Sequence, residues 1–462
     1  MPSTPLRPPS IDEFPFVSFC LRGKPIAPDY PTPKPGRTNG FWSRFQLSDE
    51  AWEKSINDEV DELLAKINIP ELVQLASSLN NNRPCTFQPG KHLGDGAMMG
   101  CANYHAWLLF EDGEKWLIRT PRTNFSDVPM DLLEYMMASE YATLKFLSST
   151  NVPAPRAFGF GLASDASNRV GVSYLLMEAL PGRPYYQHDA SIQQQQHVLR
   201  QLAQIMAEIG KHPMPQAGSP LWDGERVHAS SVASNRFVSL GLYGPFDSAS
   251  DYLASIAEQH MDLITDGQLY PEYPKEAFLF YRTLRKHAGE LSECNPPGTF
   301  YLKHVDDKGD HLLVDDDFNI TGIIDWQFAR FVPMSEAFGP SYVTADLESL
   351  YSSRTGITED DKYLARALRE VGAEHLAQYF ERPESMRKFH HGLASELTLE
   401  EARGVLKGML TVVAGHEVTD LDAWIEKEWA ECLNDDMNGP NRIEAMLCEL
   451  PNRDGSAQVG NH

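Results

Sequence analysis

One stretch constrains this chain more than any other: FYLKHVDDKGDHLLVDDDFNITGIIDWQFAR, Phe300 to Arg330. His304, Asp306, Asp307, Lys308, Asp310 and His311 crowd together at its start. Apolar Leu312 to Val314 follows, then the acidic segment Asp315 to Asn319, then a second apolar run ending in Ile323-Ile324-Asp325-Trp326. Two short runs of β-forming residues about an acidic turn predict a hairpin with a polar loop ahead of it. Such a hairpin brings Asp306 and Asp325 near each other at its open end. Two carboxylates at a strand–loop junction can hold a divalent cation or orient a hydroxyl.

Composition narrows the classes. At 462 residues, 42% hydrophobic and 23% charged, the chain has ordinary globular composition and room for more than one core. No apolar run approaches the roughly 18 residues needed to span a bilayer. The start, MPSTPLRPPSIDEF, lacks the positive-then-apolar pattern of a secretory signal. Cys20, Cys85, Cys101, Cys294, Cys432 and Cys448 are scattered without a Cys-x-x-Cys pair, which predicts free thiols and a cytoplasmic location. A net charge of −25 argues against a nucleic-acid surface, which needs clustered Lys and Arg. The acidic excess fits simple solubility or a cationic substrate such as an amine. A nucleotide site would need local positive charge, which singles out Arg119, Lys303 and Lys308.

Along the chain, residues 1 to 45 are Pro-rich and predict an extended arm. A helix capped by Ser48 follows, with Trp52, Ile56, Val60, Leu63, Leu64 and Ile67 at helical spacing. Pro70 ends it and a second helix runs from Glu71 to Leu79, the pair forming a cover for a neighbouring lobe. Strands are expected at Lys91 to Met99, Tyr104 to Phe110 and Lys115 to Arg119, then a helix over Pro129 to Ser148 and a strand pair ending at Ser173 to Met177. After Pro181-Gly182 the chain reads as mainly helical, with helices at Ser191 to Gly210, Asp361 to Val371, Glu374 to Phe380 and Thr398 to Ala414. The final dozen residues read as frayed.

The Phe300 to Arg330 stretch resembles the catalytic loop and metal-binding segment of the aminoglycoside phosphotransferase-like kinases. Their pattern is His-x-Asp, an Asn five residues after the Asp, and an Ile-Asp-Trp segment. His304-Val305-Asp306 and Ile324-Asp325-Trp326 match in type, order and spacing, whereas His311 stands where Asn is expected. The likeness is to fungal members with this layout and runs from roughly residue 90 into the 340s. It implies an α+β, protein-kinase-like fold of two lobes, a small β-rich one and a larger, mostly helical one. The chain then divides into the arm and helical extension (1–85), the small lobe (86–180) and the helical lobe (181–462) with the catalytic hairpin at 300–330.

The resemblance also implies an activity: ATP-dependent phosphoryl transfer, with Mg2+ or alternatively Mn2+, to a hydroxyl of a small molecule that could be cationic. Gly94 and Gly96, in a Gly-rich loop between two strands, can bring backbone N–H groups close to phosphate oxygens. Arg119 fills the slot the family usually gives to Lys. Glu140 would hold that cation, with Glu134 as the fallback. The hinge, Leu175 to Gly182, would receive adenine near Glu178 and Leu180. Asp306 would orient the acceptor hydroxyl, Asp325 would hold magnesium, and His304 would fix the loop through the main chain. His311 offers nitrogen in place of an oxygen, a donor better suited to zinc or manganese, and Asp310 beside it could act as the oxygen ligand. Each residue also has an ordinary role available: a turn, an exposed strand-end Arg, a solvated helix Glu, a hinge without ligand. Two other readings stand beside the first, a catalytically degenerate kinase-fold binder and a metal-dependent hydrolase built on His304, Asp306, Asp310 and His311. Glu336, Asp346 and Glu348 read as surface acids that could meet a cationic acceptor.

Overall fold

The computed structural model describes residues 49–449, apart from 91–102, 123–129, 236–237, 268, 395–396, 416 and 435–437. Two helices come first, α1 (Asp49–Lys66) and α2 (Ile69–Leu79). Pro70 sits in the first turn of α2, where its missing N–H costs nothing, and the Asn68 side chain caps that helix by accepting from the Glu71 N–H. Val60, Leu63, Ile67, Leu72 and Ala76 form a buried stripe along the pair.

That stripe lies on an antiparallel sheet with strand order β1-β2-β3-β5-β4. Its strands are β1 (Cys85–Gln88), β2 (Asn103–Phe110), β3 (Lys115–Pro121), β4 (Ala157–Gly161) and β5 (Tyr174–Glu178). The period of two assigns the faces. Ala106, Leu108, Phe110, Trp116, Ile118 and Leu176 pack with the α1–α2 stripe. Leu117, Leu175 and Met177 pack with Met137, Leu144 and Leu147 of α3 (Met130–Leu147). Arg119 shares the parity of Leu117, so strand geometry alone aims it at α3. A buried pair fastens the extension to the sheet: Arg122 donates to Glu59 Oε2 from Nε at 3.2 Å and from Nη2 at 2.6 Å. β1 is too short a run to stand out in the sequence. The strand expected at Lys91 to Met99 and the Ser48 cap lie outside the described residues, as do the final dozen.

The connector to the second lobe is stitched to the hairpin. β6 (Arg183–Pro184) pairs with β12 (Leu312–Val314), which pairs with β13 (Ile320–Ile323). The hairpin is the predicted one, with Leu312 opposite Ile323 and the turn closed by the Asp315 N–H donating to the Asn319 carbonyl. Thr321 Oγ1 donates to the Pro181 carbonyl at 2.5 Å. Gly182, at φ +115°, is where the two come closest: a Cβ there would lie 2.4 Å from Thr321 Oγ1. Only glycine suits both the backbone angle and the space.

The helical lobe contains more strand than its sequence suggests. After α4 (Ile192–Ile209), capped by a Ser191–Gln194 box, come two hairpins, β7 (Ser219–Trp222) with β8 (Val227–Ser230) and β9 (Val232–Asn235) with β10 (Val238–Tyr243). They reach back to the small lobe, where Leu221 packs with Leu132, Leu133, Tyr135 and Met136 of α3. Helices α5 (Ala249–Thr265), α6 (Pro274–Lys286) and α7 (Ala288–Ser292) lead to β11 (Phe300–Lys303), which pairs with β14 (Arg330–Pro333). The chain continues through α8 (Met334–Ala337), α9 (Leu347–Leu350), α10 (Glu359–Glu370), α11 (Glu374–Phe380), α12 (Ser385–His391), α13 (Leu399–Ala414), α14 (Leu421–Asn434) and α15 (Asn438–Glu449). No helix of the described residues is long and apolar enough to cross a membrane.

Candidate active site

The polar loop between β11 and β12 is anchored at both ends. Lys303, the last residue of β11, donates from Nζ to Asp307 Oδ2 at 2.6 Å, and both side chains are buried. Burial pushes the Asp307 carboxyl up, but Lys303 and then His391 outweigh it and hold the group well below the usual carboxylate range. His304 Nε2 donates to the Ile324 carbonyl at 2.9 Å, the main-chain role expected of it. The His304 ring stacks on His311 with centroids 4.2 Å apart and meets the Trp326 ring edge at 4.9 Å. Because His304 is tied to Ile324, Asp306 and Asp325 flank one junction.

Asp325 takes a left-handed backbone, φ 65° and ψ 52°, at the start of a short 3-10 turn over Trp326–Phe328. A non-glycine residue there is uncommon, and such conformations concentrate at functional sites. Across the lobes, Arg119 donates from Nη2 to Asp325 Oδ1 at 2.6 Å and to Gln327 Oε1 at 2.9 Å. From Nη1 it donates to Glu140 Oε1 at 2.7 Å. Arg119 and Glu140 are buried, while the Asp325 side chain stays 48% exposed. Enclosure pushes the Asp325 carboxyl up, but the Arg119 charge and hydrogen bond outweigh it and hold the group down to about 2. Glu140 goes the other way. Burial pushes it up to about 7, against the pull of Arg119 and helped by the charge of Asp325. The fallback, Glu134, is elsewhere, accepting from the Ser164 N–H and from Ser173 Oγ, each at 2.9 Å.

Lys308 bridges the loop's remaining acids, with Nζ 3.3 Å from Asp306 Oδ2 and 3.4 Å from Asp310 Oδ2. Burial lowers its proton affinity, but Asp306 and then Asp310 raise it further, so the ammonium is held charged. The His311 ring is buried and pressed on His304, and its Nδ1 accepts from the Gly309 N–H at 3.3 Å. Burial and the neighbouring His304 push its pKa well below the ordinary value, so the imidazole is neutral. Among the described residues no three His, Cys, Asp or Glu side chains converge closely enough to hold a metal ion by themselves. His304, Asp306, Asp310 and His311 therefore do not form the closed metal site of the hydrolase reading. Asp325 is a hard, ionised oxygen donor that fits magnesium. The His311 slot presents a ring turned inward and no oxygen.

At the hinge, Glu178 is half-buried and its Oε2 accepts from Arg156 Nε at 3.1 Å, while its own N–H donates to the Arg156 carbonyl. The Leu180 side chain lies over Gly322 of the hairpin, where a Cβ would come within 2.4 Å of it. Gly94 and Gly96 lie outside the described residues. Glu336 corrects its expected surface place: it is buried, with Oε1 3.4 Å from Arg330 Nη2 and Oε2 3.1 Å from His390 Nε2. Asp346 caps α9 and Glu348 pairs with Arg354, so both are surface acids. The burial of Glu336 follows from the partners that β14 and α12 bring to it, and local sequence carries no trace of that.

A β-rich lobe whose strand cation meets a helix acid, set over an acidic loop on a helical lobe, defines a two-lobe protein-kinase-like fold. The chain belongs to the phosphotransferase enzyme family, whose model matches residues 103–380. Distant likenesses to solved structures accompany this. A protein described as a fructosamine-3-kinase from Thermobifida fusca YX-ER1 aligns at 13% identity and TM-score 0.45, covering 74% of this chain and 98% of its own. Plasmodium vivax ethanolamine kinase aligns at 12% and 0.41, covering 78% and 82%. The GDP complex of aminoglycoside 2'-phosphotransferase-IIIa aligns at 14% and 0.40, covering 82% and 99%. No curated protein matches the chain in sequence.

Proposed function

We propose that the protein is an ATP-dependent phosphotransferase acting on a hydroxyl of a small molecule, and that it works in the cytoplasm, where the free thiols Cys85, Cys294 and Cys448 are at home. One observation carries the reading: Arg119 of the small lobe reaches Glu140 on one side and Asp325 of the hairpin on the other. Phosphoryl transfer asks a protein mainly for positioned charge, and this arrangement places it where the two lobes meet. The division at about residue 180 follows from the same reading, with nucleotide received near Glu178 and Leu180, phosphate met by Gly94 and Gly96 and acceptor taken on the helical side. The close likeness to fungal members rests on the layout of the hairpin.

In this reading Arg119, held by Glu140, engages the nucleotide phosphates. Asp306 orients the acceptor hydroxyl and takes its proton. Asp325 would hold a magnesium ion, which screens the phosphate charge. His311 holds the loop in shape through its stack on His304, and Asp310 steadies Lys308 at the loop's edge.

A thermal-shift series with ATP, ADP and GTP, with and without magnesium or manganese, tests this. A nucleotide at a hundredfold excess over Kd stabilises the folded state by ~2.7 kcal/mol, and the expected shift depends on the metal. A second reading, a kinase-fold binder without transferase activity, draws on the Arg119–Asp325 pair, which engages the magnesium candidate, and on the inward-facing His311. Metal-dependent nucleotide binding with no turnover on any panel of amino alcohols and sugars would establish it. Absence of any nucleotide-induced shift refutes the first reading and leaves the second only as a binder of some other small molecule.

A further inference from the structure

We propose that Gln327 is a positioning residue of this site: its side-chain oxygen, backed by Asn103, keeps Arg119 aimed at the nucleotide phosphates when Asp325 is engaged by a metal ion. The proposal rests on the phosphotransferase reading above and concerns how its phosphate-binding cation is held. Three acceptors hold Arg119. Its Nη1 donates to Glu140 Oε1 at 2.7 Å, and its Nη2 donates to Asp325 Oδ1 at 2.6 Å and to Gln327 Oε1 at 2.9 Å. The two hydrogens of Nη2 are thereby divided between a carboxylate and an amide.

The acceptors differ in what can take them away. Glu140 is buried on α3, behind the sheet. The Asp325 side chain is 48% exposed, and a hard divalent cation competes with Arg119 for its oxygens. Gln327 is buried and its amide carries no charge, so a cation has far less hold on it. Once Asp325 is engaged elsewhere, one Nη2 hydrogen is released toward a phosphate oxygen while the other stays on Gln327. Without that oxygen the guanidinium would keep Glu140 and be free to swing about that contact. A lysine at position 119 would offer a single nitrogen, whereas the arginine fork serves Glu140 with one arm and Gln327 with the other.

Local structure aims the amide. The left-handed backbone of Asp325 opens the 3-10 turn, and the side chains of Asp325 and Gln327 both reach Arg119. Trp326 between them anchors the turn from the other side: it is buried, its Nε1 donates to the Ile323 carbonyl at 2.8 Å, and its ring meets His304. Across the cleft, Asn103 is the buried first residue of β2. Asn103 stands opposite Pro121 and His105 opposite Arg119, so the period of two puts Asn103 on the same sheet face as Arg119. Its Nδ2 donates to Gln327 Oε1 at 2.9 Å; turned over, the same amide accepts from Arg119 Nε at 3.2 Å and from Nη2 at 2.7 Å. In either orientation Asn103 completes a buried polar cluster that joins the lobes on Arg119.

The test is a double-mutant cycle read as affinity for AMP-PNP with magnesium, in wild type, Gln327→Met, Arg119→Lys and the double variant. Gln327→Met fills much of the same space without an oxygen and is expected to weaken binding at least about tenfold. In the Arg119→Lys background the same change is expected to cost less than about twofold, because the arm that Gln327 holds is gone. Gln327→Ala, which leaves room for solvent, takes the place of Gln327→Met in both backgrounds if the latter does not fold. An equal loss in the two backgrounds shows Gln327 acting apart from Arg119 and overturns the proposal. Unchanged affinity in the single Gln327 variant overturns it too, and both results leave the phosphotransferase reading standing. A wild type that binds no AMP-PNP overturns the phosphotransferase reading and this proposal together.

Discussion

Arg119 and Arg387 are buried arginines that are each bracketed by a pair of carboxylates, and of the two only Arg119 looks into the cleft. Arg387 of α12 donates to Asp361 at 3.0 and 3.2 Å and to Glu384 at 2.9 and 3.1 Å, and all three side chains are at most 3% exposed. Asp361 is fixed further by Thr344 Oγ1 at 2.6 Å and by the Thr358 N–H that its capping box supplies. Every member belongs to the helical lobe. Arg119 has one buried partner on its own lobe and one half-exposed partner across the cleft. A buried ion pair with all its hydrogen bonds made holds architecture, whereas one that leaves a carboxylate open to solvent keeps it available to a ligand.

The contrast can be broken at its strongest point first. Arg387→Ala leaves buried Asp361 without its counter-charge and Glu384 with only Lys388 at 3.7 Å, and is expected to lower the unfolding free energy by about 3–5 kcal/mol in chemical denaturation. A loss under about 1 kcal/mol would erase the distinction between the two arginines. Asp325→Asn comes next. Its effect on unfolding should stay within about 1 kcal/mol. Affinity for the magnesium complex of AMP-PNP should meanwhile fall at least about tenfold, worth ~1.4 kcal/mol. Unchanged magnesium-dependent binding removes Asp325 from the site.

Glu140→Gln sharpens the comparison through pH. The folded-state value of Glu140 is about 7, above the ordinary 4.5, so the folded chain holds that proton more tightly than the unfolded one. Stability from this group is therefore greatest below the ordinary value and is lost as pH rises through about 7. Wild type should gain stability relative to Glu140→Gln as pH is lowered from 8 to 5, and a difference that does not vary with pH removes the titration from Glu140. The smallest effect is expected of His311→Asn. It trades a stacked ring for an oxygen donor that suits a hard cation, so magnesium-supported turnover should hold or rise. A fall larger with manganese than with magnesium identifies the imidazole as a metal ligand.

The hairpin and the faces of the sheet were legible because alternation and turn chemistry are local. Leu312 to Val314 and Ile320 to Ile323 pair as their pattern demands, and the parity of β3 sends Arg119 toward α3. The family likeness of the segment Ser139 to Thr143 put Glu140 ahead of Glu134, and it is Glu140 that meets Arg119, while Ser164 and Ser173 hold Glu134 elsewhere. The β7–β10 hairpins escaped because four- to six-residue runs are indistinguishable from loop, and their packing on α3 is a tertiary event. The α5 helix had a readable signal, with Tyr252, Leu253, Ile256, Ala257, Met261 and Ile264 recurring at helical spacing. Glu336, Arg387 and Lys308 were not legible in their settings, because a charge's partners arrive from distant segments and only burial tells a surface acid from a core one.

The extension over the small lobe also decides what length of chain can be handled in isolation. Family likeness begins at Asn103, yet α1, α2 and β1 upstream of that point cover Ala106, Leu108, Phe110, Trp116 and Ile118 and pair the edge of β2. A polypeptide begun at Asn103 would present a bare apolar sheet face with an unprotected strand edge, and it would deprive Arg122 of Glu59. Such a fragment is a candidate for inclusion bodies. What can be recognised as the family and what must be synthesised together to stay in solution are different lengths of the same chain.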